Sequence, residues 1–131
     1  MSNVQLELPP ITIVRDDMEK LIRLADAADG RFAQTGDFLS REIDRAQVIE
    51  ERRPDLVAMG SRVTFRDNTT GQTRTVTLVY PEDADVAQNR ISVLTPIGAA
   101  LIGLSVGQSI EWQTLEKQSR SLTVTAAEAG A

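Results

Sequence analysis

Apolar residues in the first half of the chain recur at helical spacing. Met18, Leu21, Ile22 and Ala25 share one face and predict a helix from Asp16 to about Ala28. Asp16 reads as its N-cap, and Glu19, three positions on, completes a capping-box pattern with Asp in place of Ser or Thr. Asp29-Gly30 ends this helix, and the segment to Gly36 is expected as a loop. A second stripe of Leu39, Ile43, Ala46 and Ile49 predicts a helix from about Asp37 to Arg53, stopped by Pro54. Its other face carries Arg41, Glu42, Asp44, Arg45, Glu50, Glu51, Arg52 and Arg53, whose mixed signs suit a solvated surface. Two such helices joined by a short loop form an antiparallel hairpin. Ahead of them, residues 1–15 read as a flexible leader, broken by Pro9-Pro10, and a short extended segment from Ile11 to Val14.

Beyond Pro54 the spacing changes from helical to alternating. Val63 and Phe65 alternate with Arg62, Thr64 and Arg66, the turn residues 67–71 follow, and a strand from about Thr73 to Tyr80 should pair back as a hairpin. Pro81 to Asn89 is an acidic loop. Ile91 and Val93 then form a short strand that runs into Thr95-Pro96, which has the form of a helix start. Thr95 can cap the first free N–H groups, and Pro96 suits the first helical position because its missing N–H costs nothing there. Gly103 stands where a left-handed helix C-cap is expected. Ile110 and Trp112 mark another strand, and Leu122 and Val124 a last one from Ser119 to Thr125. The class is α+β: a short antiparallel helical hairpin over residues 16–57, then a mostly antiparallel sheet with one short helix over 58–125. The two parts are expected to behave almost separately, and residues 126–131 to fray.

The stretch from Arg90 to Trp112, RISVLTPIGAALIGLSVGQSIEW, resembles the C-terminal domain of the Gre transcript-cleavage factors of bacterial RNA polymerase. In those factors a strand of the form I-S-x-x-S-P leads into a short A-L-I/L-G helix. With Leu78-Val79-Tyr80-Pro81 and the short helical region before it, residues 12–125 are similar to a shortened branch of that family, the regulators of nucleoside diphosphate kinase. The resemblance implies an FKBP-like fold for the sheet domain. It also implies a non-enzymatic regulator that binds RNA polymerase at the rim of the secondary channel. The implied contact is the turn at Leu94, Thr95 and Pro96, where Leu94 stands at a position often acidic in Gre factors and is expected to be exposed. Gre factors also place two acidic residues from a coiled-coil tip near the catalytic magnesium. Asp26 and Asp29, three apart on one expected helix face, are the nearest candidates here. A helix of about 13 residues spans only roughly 20 Å, so competition with longer Gre-type factors, without cleavage, is the implied outcome. The alternative implied by the branch is regulation of nucleoside diphosphate kinase, direct or through transcription.

Composition removes other chemistry. The 131 residues include no cysteine and no histidine, which takes away thiolate catalysis, the commonest general base and the commonest metal ligand. No glycine spacing fits a Walker or dinucleotide loop, so no cofactor is expected, and no metal. A prolyl isomerase needs an aromatic wall, and the sheet domain offers Phe65, Tyr80 and Trp112, of which Phe65 and Trp112 are expected in the core. The net charge of −5 disfavours general nucleic-acid binding, and no sequence-specific nucleic-acid partner is expected. No apolar run approaches the roughly 20 residues of a membrane helix, and a cytoplasmic protein is expected.

Overall fold

The computed structural model describes residues 8–129; residues 1–7 of the expected leader and the last two residues of the expected tail lie outside the described residues. Strand β1 (Thr12–Val14) feeds directly into helix α1 (Arg15–Ala27), a 3-10 turn at Gly30–Phe32 reverses the chain, and α2 (Ala33–Arg45) returns to strand β2 (Gln47–Ile49). The helices pack through Leu21 and Ala25 on α1 and Leu39 and Ile43 on α2, all buried. Gly36 is the point of close approach. A Cβ there would lie 2.5 Å from the Ala28 Cβ and 3.1 Å from the Ala25 carbonyl oxygen, so only glycine lets the helices come this near.

Several expectations about the hairpin are corrected. Helix α2 starts at Ala33 and ends at Arg45, not Arg53, because Ala46 turns extended and Gln47–Ile49 pairs parallel with Thr12–Val14. Pairing with the buried β1 and the β-branched Val48 and Ile49 outweigh a stripe that was helical by coincidence. Ile49 packs on Val14, Leu56 and Ala58 instead. At the start of α1, Asp16 does not cap: Val14 is the N-cap, without a side-chain bond, and both Asp16 and Asp17 lie in the first turn. Ile22, expected on the buried stripe, is 41% exposed. Nor is the charged face of α2 wholly solvated. Glu42 is 1% exposed and takes two bonds of 2.8 Å from the Arg45 guanidinium, which also donates to the Pro9 carbonyl.

The second half forms a five-stranded sheet of β3 (Arg62–Asp67), β4 (Thr73–Val79), β5 (Arg90–Ser92), β6 (Ser109–Gln113) and β7 (Ser119–Glu128) in the order β5-β4-β3-β7-β6. Every neighbouring pair is antiparallel except β4 and β5. Helix α3 (Pro96–Leu101) covers one face. Strand β7 carries on to Glu128, so residues 126–128 of the expected tail pair with β3 rather than fray. Phe65 and Leu78, with Leu122 and Val124, face the helix side and are buried. That core joins Ile11, Leu21, Leu39 and Ile43 in one cluster, which corrects the expected near-independence of hairpin and sheet.

Candidate protein-binding site

At the end of β5 the chain folds tightly onto itself. The Ser92 Oγ accepts from the Leu94 N–H at 3.0 Å, and the Ser92 carbonyl accepts from both the Thr95 N–H and the Thr95 hydroxyl, at 3.1 and 2.7 Å. Thr95 Oγ1 in turn accepts from the Gly98 N–H at 3.1 Å, the expected N-cap. Pro96 takes the first helical position. Ile102 is the C-cap, and Gly103 beyond it has φ +86°, the expected left-handed stop. Thr95, Pro96 and Ile97 are half-buried on the rim. Leu94 is not exposed as expected. It is 8% exposed and belongs to the core, because the bend at Ser92 turns it inward.

Two depressions meet at this turn, and both are bordered by Pro96 and Trp112. The shallower, of 260 Å³, adds Arg74, Ile97, Thr114 and Leu115, with Leu115 half exposed at 50%. The deeper, of 340 Å³, lies between α2 and β6 and adds Leu8, Phe38, Arg41 and Glu111 among its walls. Trp112 Nε1 is buried with no hydrogen-bond partner among the described residues. Alternation had placed Trp112 in the core; it packs against the core with one flank left on these depressions. Sequence reasoning also missed Ile97, the residue after Pro96, and Arg74 and Leu115, which only the sheet order brings beside it. Phe65, Tyr80 and Trp112 do not converge on one pocket.

The two aspartates of the hairpin tip do not form a pair on one helix face. Asp26 sits in the last turn of α1, whereas Asp29 lies past its end in extended backbone, and both are exposed. Helix α1 has 13 residues. Among the described residues no group of three or more potential metal-ligating side chains gathers.

A polar cluster fastens α1 to the sheet. The buried Asp17 carboxylate accepts from the Met59 N–H at 3.2 Å; burial pushes its pKa above the usual carboxylate range, against the pull of that bond and of Arg52. Lys20 Nζ stands 4.0 Å from the Tyr80 ring centroid and donates to Glu82 at 2.9 Å. Burial, with the Asp17 and Glu82 charges nearby, pushes the Tyr80 hydroxyl up to about 12. The spacing of Asp17 to Leu21 and Ala25 was the signal that it faces inward.

A solved GreA/GreB elongation factor from Nitrosomonas europaea superposes with a TM-score of 0.71 at 34% identity, over 92% of this chain and 98% of that one. The hairpin, the sheet and the capped strand-to-helix turn are thus the architecture of a transcription elongation factor of that class. The GreA/GreB C-terminal family model matches residues 52–129, and the model of the Rnk N-terminus matches residues 9–49. The regulator of nucleoside diphosphate kinase of Escherichia coli (strain K12) is 41% identical over 107 residues, 79% of each chain. Transcription elongation factor GreA of Thermosipho africanus is 34% identical over 82 residues, 63% of this chain and 53% of that one. The chain belongs to the Rnk branch of the GreA/GreB transcription elongation factor family.

Proposed function

We propose that this protein is a non-enzymatic transcription regulator that binds RNA polymerase at the secondary channel and competes with longer Gre-type factors. The observation that carries the reading is the Thr95-Pro96 turn. It is locked by the bonds to Ser92 and flanked by the half-exposed apolar surface of Ile97, Trp112 and Leu115. A rigid turn beside apolar surface presents a contact with little ordering cost on binding. Leu94 takes no part in the contact, since it faces the core; Thr95 and Pro96 remain, joined by their apolar neighbours.

Reach supports the absence of cleavage activity. An α1 of 13 residues projects about 20 Å, and Asp26 and Asp29 are not held together at its end. Membership among transcription factors fits action where transcription occurs, in the cytoplasm of a bacterium, and among the described residues no helix is long and apolar enough to cross a membrane.

The test is binding of the purified protein to core polymerase, followed by a backtracked elongation complex. Leu115→Glu, at an exposed position, should weaken binding with circular dichroism unchanged; unchanged affinity removes this surface from the contact. No faster transcript cleavage is expected, and competition against a Gre factor is. Cleavage that Asp26→Ala and Asp29→Ala abolish would overturn the reading.

A second reading is direct regulation of nucleoside diphosphate kinase, favoured by the name of the Escherichia coli relative. Pull-down from cell extract separates the two by which prey is held.

A further inference from the structure

Thr95 uses its polar groups inside the turn that it starts. Its hydroxyl donates to the Ser92 carbonyl at 2.7 Å and accepts from the Gly98 N–H at 3.1 Å. The Thr95 N–H donates to the same Ser92 carbonyl, and the Thr95 carbonyl accepts from the Ala99 N–H at 2.9 Å. Pro96 has no N–H at all. Thr95 and Pro96 therefore hold no hydrogen-bond donor for a partner, yet both border the shallower depression beside Ile97 and Leu115.

The part of the Thr95 side chain outside this network is its γ-methyl. With Oγ1 fixed between Ser92 and Gly98, branching at Cβ sets the methyl about 120° away around the Cα–Cβ bond. The turn thus presents three apolar groups in succession: the Thr95 methyl, the Pro96 ring and the Ile97 side chain. Charge on the depression comes from Arg74 and Glu116, which lie on β4 and in the turn after β6 and are opposite in sign.

We infer that Thr95 determines specificity in the polymerase contact through its γ-methyl, and that the group it meets on the polymerase is an aliphatic side chain. A hydroxyl already bonded on both sides adds little to binding, whereas a methyl withdrawn from water adds apolar burial. Serine at this position would build the same cap without that contact. This role rests on the secondary-channel reading proposed above and narrows it, since the turn is then recognised by shape and apolar burial.

Thr95→Ser and Thr95→Val in the full chain separate the two halves of the side chain. Thr95→Ser keeps the bond to Gly98, so its denaturant midpoint and the exchange rate of the Gly98 amide should stay close to wild type. Its affinity for core polymerase should fall about fourfold, the transfer free energy of one methyl group. Thr95→Val keeps the methyl and loses the cap. Its midpoint should drop, while its affinity stays above that of Thr95→Ser. A Thr95→Ser affinity equal to wild type overturns the role of the methyl. So does a Thr95→Val variant that is folded by circular dichroism and binds more weakly than Thr95→Ser. Wild-type protein that does not bind core polymerase overturns the secondary-channel reading itself, and this role falls with it.

Discussion

Gly98 lies against the carbonyl group of Ser92 with no room for a side chain between them. A Cβ on Gly98 would overlap the Ser92 oxygen and sit 2.9 Å from both the Ser92 carbonyl carbon and the Val93 Cα. These are backbone atoms, which cannot swing aside as a side chain can. Gly98→Ala should therefore push α3 off β5 and cost at least about 1–3 kcal/mol, read as a lowered denaturant midpoint. A midpoint equal to wild type would show that the helix shifts without strain.

The same turn separates its cap from its anchor. Thr95→Ala removes the acceptor for the Gly98 N–H and should cost about 1 kcal/mol, while Thr95→Ser keeps the bond and most of the stability. Leu94→Ala empties a core position and should cost about 2–5 kcal/mol. A Thr95→Ala variant more damaged than Leu94→Ala would contradict this order. Chemical denaturation of the three variants decides it.

Core continuity predicts one unfolding transition. Leu21 on α1 is fully buried in the cluster that also holds Leu122 of the sheet. Far-UV circular dichroism, weighted toward the helices, and Trp112 fluorescence, from the sheet, should give the same denaturant midpoint. Leu21→Ala should lower both together by about 2–5 kcal/mol of stability. Two separated midpoints would mean that hairpin and sheet melt apart.

Tyr80 is the one tyrosine of the chain, so its ionisation can be followed by ultraviolet absorbance. Burial first, and then the Asp17 charge, set its folded pKa at about 12, against about 10 in the unfolded chain. The unfolded state loses its proton first, so this group lowers stability as pH rises past the unfolded value, and its full effect is present above the folded one. Asp17→Asn removes a neighbouring negative charge and should move the midpoint down. An absorbance midpoint near 10 in the folded protein would refute the burial of this hydroxyl.

Legibility in the sequence followed the strength of local signals. Thr95, Pro96 and Gly103 are fixed by capping chemistry within a few residues, and the structure places them as read. The alternation of Val63 with Phe65 and of Leu122 with Val124 likewise gives their inward faces directly. Ala46 and Ile49 continued a helical stripe that tertiary pairing with β1 overrode, and nothing local announces a three-residue parallel strand. Leu94 was misplaced because a bend made by Ser92, two residues earlier, decides which way it points. The surface around Pro96 also draws on β4, β6 and the turn after β6, distant segments that only sheet order assembles.

The pairing of β1 with β2 has a consequence for how such a chain can vary. Thr12 to Val14 and Gln47 to Ile49 hold the two feet of the hairpin side by side, at the spacing of about 4.8 Å between neighbouring strands. Everything between Val14 and Gln47 leaves and re-enters the body through that one collar. Whole turns of helix can be added at the far ends of both legs without moving either foot, so the arm can lengthen while the domain that carries Pro96 stays as it is.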